Sequence, residues 1–344
     1  MLRLGIDAGN FARDRRGMGR VARDVALAAL ADPGFAVTFL LERRSDEDAL
    51  RTVFVGHTIE VASATGAHDN ARYDAVWFPW NGMRFAAAAP TLVTIHDAFA
   101  FTYPNRGFVA RWREQWPIRR GARRGTRLVT GSQWSRAEIA RMLEIEPARL
   151  TVVPNVPDAL FVPGEDAPPF DGAPYALLVG AGEERKNARL AIEACAGAFY
   201  GEDRLAIVGG LTAPDAAALR ESRVRRELLG SVEDLGLRRL YRHARAVLVP
   251  SFAEGFGLVA VEAMACGAPT LAANAAALPE ATRGGALLLD PHDVTAWRDA
   301  VARAMHDDAF AAELGARGAA TFAGADRAAP AKAYVRLFRE TASG

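Results

Sequence analysis

The feature that most constrains the fold is a regular alternation of short, continuously apolar runs with longer helical patterns. The runs of the first half are LRLGID (Leu2 to Asp7), FAVTFLLE, DAVWFPW, TLVTIHD, RLVTGS and LTVVPN, and those of the second half are YALLVG, LAIVGG, AVLVPS, PTLAAN and ALLLD. Strands that are apolar on both faces are typical of parallel sheets covered by helices on both sides. The sequence therefore predicts an α/β chain with doubly wound parallel sheets.

A stretch rich in proline, glycine and aspartate, PDALFVPGEDAPPFDGAP, interrupts this alternation near the middle of the chain. The 344 residues also exceed what one hydrophobic core usually serves. We therefore expect an N-terminal Rossmann-like domain over residues 1–158, a linker over 159–174, a second Rossmann-like domain over 175–327, and a closing helix over 328–344. Parallel sheets bind ligands at the carboxyl ends of their strands, so a cleft between the two domains is the expected site.

Composition and charge exclude several classes of protein. Half of the residues are hydrophobic and 24% are charged, which is typical of a folded soluble enzyme and not of a disordered chain. No run reaches the roughly 18 apolar residues of a membrane span, and the first residues form neither a signal nor a transit peptide. The two cysteines, Cys195 and Cys266, are too few for a disulfide framework or a zinc cluster. We expect a cytoplasmic protein.

The most informative segment runs from Pro250 to Glu280 and reads PSFAEGFGLVAVEAMACGAPTLAANAAALPE. A strand ends in Pro-Ser, Glu254 follows in a turn, and Gly255-Phe256-Gly257 opens a helix with little side chain in the way. A helix start offers amides and the positive end of a dipole to an anionic or hydroxyl-rich ligand. Glu262 lies eight residues after Glu254, so the spacing directs two carboxylates toward one ligand.

This segment resembles the Glu-x7-Glu signature of the retaining glycosyltransferases of family 4, which have the GT-B fold. The EGFGL opening, the EAMACG helix, the PT strand and the ALPE turn follow the family pattern in order. LLVGAGEERKN resembles the family's phosphate loop, RRGMGRVARDV its glycine-rich turn, and TIHDAFAFTYP its acceptor-side histidine segment. The resemblance spans nearly the whole chain and implies a GT-B fold of two facing Rossmann-like domains, each a doubly wound parallel sheet, with a cleft between them.

The resemblance also implies roles for single residues. Glu262 would bind the ribose hydroxyls of a sugar nucleotide, Glu254 the hydroxyls of the donor sugar, and Lys186 the diphosphate. Lys186 is one of only two lysines among 42 basic residues. Because Ala181 stands where the family often has an arginine, Arg185 is the other residue expected to share the phosphate. The remaining implied donor contacts are backbone groups of Gly17, Gly19, Gly255, Phe256, Gly257 and Val232.

In the first domain, the resemblance makes His96, which stands next to Asp97, the best candidate near the donor sugar and the acceptor. The implied activity is retaining transfer of a hexose, with mannose from GDP-mannose as the expected donor, to a glycan or lipid-linked acceptor. No cofactor or metal is expected, since the histidines have no ligand spacing. Nucleic acid is not an expected partner.

Two other functions are compatible with parts of the sequence. A dinucleotide oxidoreductase would place G-x-G-x-x-G directly after the first strand, and LRLGIDAGNFARDRRGMG lacks it. A non-catalytic sugar-nucleotide-binding partner of another transferase would keep Glu262 and Lys186 but need not keep Glu254 or His96. All four residues are present, which favours an enzyme.

The segment from Phe101 to Arg127 carries eight arginines and one glutamate. Phe108, Trp112 and Trp116 recur every four residues, so on a helix they form one aromatic stripe, until Pro117 disturbs the helix. Such a helix either packs on its own domain or forms an interface. Lipid-linked acceptors of enzymes that this chain resembles favour an interface, so we expect peripheral binding to the anionic inner face of a membrane.

Overall fold

A computed structural model of the protein describes residues 1–14, 17–64, 72–104 and 107–344. The chain divides into two compact units. The first unit contains residues 1–155 and 328–344, and the second contains residues 156–327. Each unit has its own sheet, and all the strand pairs of both sheets are parallel, which confirms the predicted fold class.

Within the described residues, the sheet of the first unit has seven strands in the order β3-β2-β1-β4-β5-β6-β7. The strands are β1 (Leu2–Asp7), β2 (Phe35–Leu41), β3 (Glu60–Ser63), β4 (Ala75–Phe78), β5 (Thr91–Thr94), β6 (Arg127–Thr130) and β7 (Leu150–Val152). The helices are α1 (Met18–Ala31), α2 (Glu47–Val53), α3 (Phe99–Thr102), α4 (Phe108–Arg124), α5 (Gln133–Leu143) and, from the C-terminus, α13 (Ala329–Ser343). The central strands β4 and β5 are buried along their whole length, as expected of a sheet covered on both faces.

Helix α13 belongs to the first unit although it follows the second unit in sequence. Its aromatic residues Tyr334 and Phe338 pack against Trp77 of β4, with both pairs of ring centroids 5.4 Å apart. The hydroxyl of Thr94 in β5 joins the Trp77 indole nitrogen at 3.0 Å and the Tyr334 hydroxyl at 3.1 Å. Burial of these large rings, with their polar atoms hydrogen-bonded, holds the C-terminal helix on the first sheet.

Helix α4 corrects one expectation, because it continues through Pro117 to Arg124. Proline removes one intrahelical hydrogen bond and typically costs about 3 kcal/mol inside a helix. Beyond the proline, however, the helix buries Ile118, Gly121 and Ala122. The carbonyl oxygen of Pro117 also accepts a hydrogen bond of 2.9 Å from the Met83 amide. Packing of this second half offsets the local loss.

The sheet of the second unit has six strands among the described residues, in the order β10-β9-β8-β11-β12-β13. They are β8 (Tyr175–Val179), β9 (Arg204–Val208), β10 (Arg226–Gly230), β11 (Ala246–Val249), β12 (Thr270–Ala273) and β13 (Leu287–Leu289). The helices are α6 (Ala188–Ala198), α7 (Ala213–Glu221), α8 (Asp234–His243), α9 (Leu258–Ala265), α10 (Leu278–Thr282), α11 (Val294–His306) and α12 (Asp308–Phe322). Strands β8 and β11 are neighbours in this sheet, so the loops that follow them start side by side.

The segment expected to be a linker packs on the second unit. Phe161 is fully buried and its ring lies 5.7 Å from that of Tyr241 in α8. The carboxylate of Asp166 is paired with Arg238 at 3.1 Å and with Arg242 at 2.8 Å, both on the same helix. These contacts tie the segment to α8.

Candidate functional site

Two loops of the second unit form the core of the candidate site. The first follows β8 and spans residues 180–187, and the second follows β11 and spans residues 250–257. Phe252 donates its backbone hydrogen to the carbonyl oxygen of Arg185 at 2.8 Å. The Asn187 side-chain nitrogen donates to the carbonyl oxygens of Pro250 and Pro291, at 3.1 and 3.0 Å. The two loops are therefore fixed to each other.

An ion cluster lies between these loops. The Lys186 ammonium is 2.7 Å from Glu254 Oε1, and the Arg185 guanidinium is 3.4 Å from Glu254 Oε2. Ser251 donates its hydroxyl hydrogen to Glu254 Oε1 at 2.8 Å. Glu254 is only 7% exposed. The structure thus brings together three of the residues singled out in the sequence.

Glu254 is ionised in this cluster. Burial by itself would raise the pKa of Glu254, but the charges of Lys186 and Arg185 and the hydrogen bonds from Lys186 and Ser251 outweigh it. The pKa of Glu254 therefore lies below its ordinary value. An ionised carboxylate only accepts hydrogen bonds, so Glu254 suits a ligand that donates them, such as a sugar hydroxyl.

Arg185 is held on several sides at once. The Glu183 carboxylate accepts hydrogen bonds from Arg185 Nε and from one terminal nitrogen of Arg185, at 2.9 and 3.0 Å, in a bidentate pair. The other terminal nitrogen donates to the carbonyl oxygen of Ala253 at 3.0 Å. Arg185 therefore joins the two loops, and it reaches the ion cluster with one edge of its guanidinium.

The start of α9 requires glycine. Gly257 precedes the helix with φ of 100°, in the region that side chains disfavour. A Cβ at this position would also lie 2.7 Å from Leu278 Cδ2. Gly255 and the buried Phe256 complete the turn between Glu254 and the helix. The sequence EGFGL therefore determines how the backbone turns from Glu254 into α9.

Glu262 lies on α9 and is 4% exposed. Its Oε2 accepts a long hydrogen bond of 3.4 Å from the hydroxyl of Tyr241 on α8. Val232, the residue expected near a nucleotide base, is half-buried in the turn between β10 and α8. A Cβ on Gly236 in α8 would lie 2.8 Å from the Val232 side chain, so the two positions are in close contact.

The other three expected site residues belong to the first unit. His96 follows β5, and its ring Nε2 lies 2.8 Å from the carbonyl oxygen of Pro79. Since a carbonyl oxygen only accepts, Nε2 carries the proton and Nδ1 is left as the acceptor. Removal of the ring from water lowers the pKa of His96, against the raising effects of that hydrogen bond and of Asp97. The imidazole is therefore neutral at pH 7.

Gly17 and Gly19 stand at the start of α1. Gly17 precedes the helix with φ of 50° and ψ of −111°, a conformation that favours glycine. A Cβ on Gly19 would overlap the carbonyl group of Asp14. Both positions thus have a local backbone reason to be glycine.

Within the described residues, no group of three or more His, Cys, Asp or Glu side chains is placed to hold a metal ion. His68, one of the histidines considered in the sequence, lies outside those residues. None of the helices in the described ranges is long and apolar enough to cross a bilayer. Both cysteines are buried, and burial raises the pKa of each thiol, in Cys266 to about 12.

Sequence reasoning missed several residues that support the ion cluster or contact Glu262. Ser251 was noted only as the end of a strand, and Glu183, Asn187 and Tyr241 were not singled out. Their partners lie 2 to 104 positions away in the chain. The available signals were Ser251, which follows Pro250 after β11, and Asn187, which follows Lys186. The residue type alone does not indicate which carboxylate or carbonyl group the side chain contacts.

Two parallel-sheet α/β units, with a buried Glu-Lys-Arg cluster at the carboxyl edge of the second sheet, define the class of GT-B glycosyltransferase folds. A model described as Glycosyltransferase Family 4 matches residues 15–159, and a model described as Glycosyl transferases group 1 matches residues 173–307. The chain belongs to this family of GT-B glycosyltransferases, as the sequence predicted.

The individual relatives of the chain include glycosyltransferases. The chain is 31% identical to the O-antigen chain mannosyltransferase B of Escherichia coli over 67% of its own length and 65% of the relative's. It is 33% identical to the D-inositol 3-phosphate glycosyltransferase of Acidothermus cellulolyticus over 57% of its own length and 49% of that relative's. The chain thus spans about half to two thirds of these curated relatives.

Among solved structures, the Anabaena protein HepE in complex with UDP-glucose superimposes with a TM-score of 0.74. The comparison covers the full length of both chains at 17% sequence identity. At this identity the likeness supports the fold, and it agrees with the two parallel sheets described above.

Proposed function

We propose that the protein is a metal-independent, retaining hexosyltransferase that takes its sugar from a nucleoside diphosphate donor bound in the second unit. The observation that carries this proposal is the buried cluster of Glu254 with Lys186 and Arg185. It combines cations for a diphosphate with a carboxylate for sugar hydroxyls. The E. coli mannosyltransferase and the HepE complex with UDP-glucose are consistent with such a donor.

The cluster suggests how donor binding and chemistry are linked. Without ligand, the charge of Lys186 is balanced by Glu254 at 2.7 Å. A diphosphate that takes over Lys186 releases Glu254 Oε1, which then accepts a hydroxyl of the donor sugar. The Lys186 ammonium stabilises the negative charge that grows on the leaving phosphate, which is a transition-state contribution.

The reaction breaks the bond between the anomeric carbon and the phosphate oxygen and forms a bond from that carbon to the acceptor oxygen. The acceptor hydroxyl attacks from the face that the phosphate leaves, and its proton passes to the leaving phosphate oxygen. No protein nucleophile is part of this proposal, because Glu254 accepts the Ser251 hydroxyl and a hydroxyl of the donor sugar and so serves to orient the sugar. The configuration of the donor sugar is therefore retained.

The acceptor is proposed to bind the first unit, where His96 offers Nδ1 as a hydrogen-bond acceptor. A glycan or a lipid-linked glycan fits this role, since both present hydroxyl groups. Mannose is the donor sugar proposed first, because one of the relatives is a mannosyltransferase. UDP-glucose is the comparison donor, because HepE binds it.

Helix α4 supports the proposal that the protein binds the surface of an anionic membrane. Phe108, Val109 and Trp112 are 73%, 66% and 55% exposed. Arg113, Arg119 and Arg123 are exposed on the same helix, and each basic residue near an anionic surface contributes about 1 kcal/mol. Arg106, another arginine of this segment, lies outside the described residues.

Liposome sedimentation tests the membrane part. Reversal of Arg119, Arg120, Arg123 and Arg124 to glutamate is expected to abolish binding to anionic vesicles without lowering Tm, and binding of the parent is expected to fall as salt rises. Equal sedimentation with neutral and anionic vesicles, or none with either, would remove the membrane from the proposal and leave a soluble acceptor.

A donor screen tests the proposed activity. Nucleoside diphosphate sugars, with GDP-mannose and UDP-glucose first, are titrated by calorimetry and then assayed for release of nucleoside diphosphate in EDTA. One donor is expected to bind and to turn over, slowly by hydrolysis when no acceptor is present. Binding without any turnover across acceptors would support a non-catalytic partner, and turnover only after Mg²⁺ or Mn²⁺ is added would contradict metal independence.

A further inference from the structure

A second candidate site lies at the amino-terminal end of β5, whereas His96 follows the carboxyl-terminal end of the same strand. A cavity of about 490 Å³ opens there, lined by residues 83 and 86–91, by Arg120 and Arg124 of α4, and by Thr126. This volume is within the range of small-molecule sites, roughly 300–1,000 Å³. Thr91 begins β5 and His96 lies beyond its other end, so about 16 Å of extended chain separates the two positions.

Within the described residues, neither of the two arginines of the cavity has a carboxylate partner. Neither guanidinium forms an ion pair within the described part of the chain, whereas the nearby Arg127 is paired with Glu340. Arg120 stacks on the Trp116 ring at 4.9 Å. Burial, and then the charge of Arg124 one turn further along α4, lower the pKa of Arg120, so the two cations repel each other. Arg123 and Arg124 both lie in the last turn of α4, where a positive charge complements the helix end. Of these two residues, Arg124 also lines the cavity and Arg123 does not.

Two of the residues that line the cavity, Thr91 and Thr126, offer hydroxyl donors. Thr91 Oγ1 accepts the Thr126 amide at 3.1 Å, and Thr126 Oγ1 accepts the Thr91 amide at 3.0 Å. Each hydroxyl therefore uses its oxygen as an acceptor and keeps its proton to donate. Thr91 is 3% exposed, so its position is fixed by the sheet.

We propose that this cavity binds a phosphate ester, with Arg120 and Arg124 as its cations and the hydroxyls of Thr91 and Thr126 as additional donors. Two guanidinium groups match the charge of a phosphate monoester, which is about −1.5 to −2 at pH 7. The planar fork of arginine pairs with phosphate oxygens bidentately. The site is separate from the donor loops and does not depend on the proposed transferase activity.

Arginine-specific modification tests the proposal residue by residue. The whole chain is treated with phenylglyoxal in rising inorganic phosphate at constant ionic strength, and each arginine is followed by peptide mass spectrometry. Phosphate at ten times its Kd is expected to slow modification of Arg120 and Arg124 about elevenfold, as 1 + [L]/Kd requires, with one Kd for both. Arg113 and Arg123, exposed on the same helix, are the internal controls and are expected to be unaffected.

Arg185 reports the donor loops in the same experiment, so failure of one site is distinguishable from failure of the other. Arg124→Gln is expected to weaken phosphate protection of Arg120 at least about tenfold, while the matched Arg123→Gln leaves it unchanged. Equal modification rates with and without phosphate at Arg120 and Arg124 would overturn the proposal, as would equal effects of the two variants.

Two further arms identify the source of the phosphate. Glycerol phosphate represents a soluble monoester, and phosphatidic acid vesicles, with phosphatidylcholine vesicles as the control, represent a lipid headgroup that is also a monoester. A site for a soluble ester is supported if Arg124→Gln weakens binding of glycerol phosphate while the Arg124→Gln and Arg123→Gln proteins sediment equally with the anionic vesicles. A headgroup site is supported if Arg124→Gln also sediments less than Arg123→Gln with the anionic vesicles.

Discussion

Glu254→Gln removes the negative charge from the ion cluster while keeping nearly the same shape. Lys186 and Arg185 then lose their shared counter-ion in a site where both side chains are almost buried. Breaking a buried ion pair by removing one partner costs about 3–5 kcal/mol. The amide oxygen keeps one hydrogen bond of about 1 kcal/mol, which leaves an expected loss of about 2–4 kcal/mol. For a unit of this size the loss corresponds to a fall in Tm of roughly 5–15 °C.

The pH dependence of this difference follows from the sign of the pKa shift. The folded-state pKa of Glu254 is lower than its unfolded value of 4.5, so its stabilising effect is complete above that value. As pH falls through the lower folded pKa, the carboxylate is protonated and the stabilising effect is lost. Glutamine does not titrate, so the Tm difference between the parent and Glu254→Gln is expected to be constant near pH 7 and to shrink below pH 4.5.

Thermal unfolding from pH 7 down to the acid limit of the fold measures this effect. Glu183→Gln is the matched control, because Glu183 pairs with the same Arg185 but is 60% exposed, and exposed pairs contribute about 0–1 kcal/mol. A second readout is added nucleoside diphosphate, which is expected to raise the Tm of Glu254→Gln at least as much as that of the parent, since no carboxylate competes for Lys186. A Glu254→Gln protein as stable as the parent at pH 7 would refute the reasoning.

Three further predictions concern the second unit. Glu262→Ala is expected to weaken donor binding about tenfold to a hundredfold, since a charge-assisted hydrogen bond contributes about 1.5–3 kcal/mol; calorimetry with equal affinity for both proteins would remove the ribose assignment. Lys186→Ala is expected to lower kcat more than donor affinity, because phosphate charge grows toward the transition state, and an unchanged kcat would contradict that role. Gly257→Ala is expected to lower stability by at least about 1 kcal/mol, because the new Cβ meets Leu278 at a position with φ of 100°; a Tm equal to that of the parent would show that α10 yields at no cost.

The alternation of apolar runs was sufficient to predict both sheets, because strands buried on two faces leave an unbroken hydrophobic signal. The strands that this pattern missed are β3 and β10, each at the edge of its sheet. Their sequences, EVAS and RELLG, alternate half-buried and exposed positions or carry charge. An edge strand has a neighbour on one side only and therefore tolerates polar residues, as β3 and β10 do, whereas the other two edge strands, β7 and β13, carry apolar runs that the pattern found.

Helix α4 illustrates the limit of local rules in the first unit. Pro117 was expected to disturb the helix, but burial of the residues that follow it keeps the helix intact to Arg124. Tertiary packing decides this outcome, and the local sequence does not encode it.

The candidate site was predictable in its residue types and only partly in its contacts. Family motifs place Glu254 and Lys186 in loops that follow neighbouring strands, so their proximity follows from the order of the sheet. The clamp of Glu183 on Arg185 and the bridge from Asn187 to Pro250 and Pro291 depend on loop conformations. Side-chain partners of this kind are specified by tertiary structure.

The most direct test of the central claim is the anomeric configuration of the product. The protein is incubated with the donor identified in the screen and with its acceptor, and NMR follows the coupling constant of the anomeric proton while nucleoside diphosphate is released. Retaining transfer by Lys186, Glu254 and the leaving phosphate predicts a product with the configuration of the donor sugar and a release rate unchanged by EDTA. An inverted product would contradict the proposed mechanism.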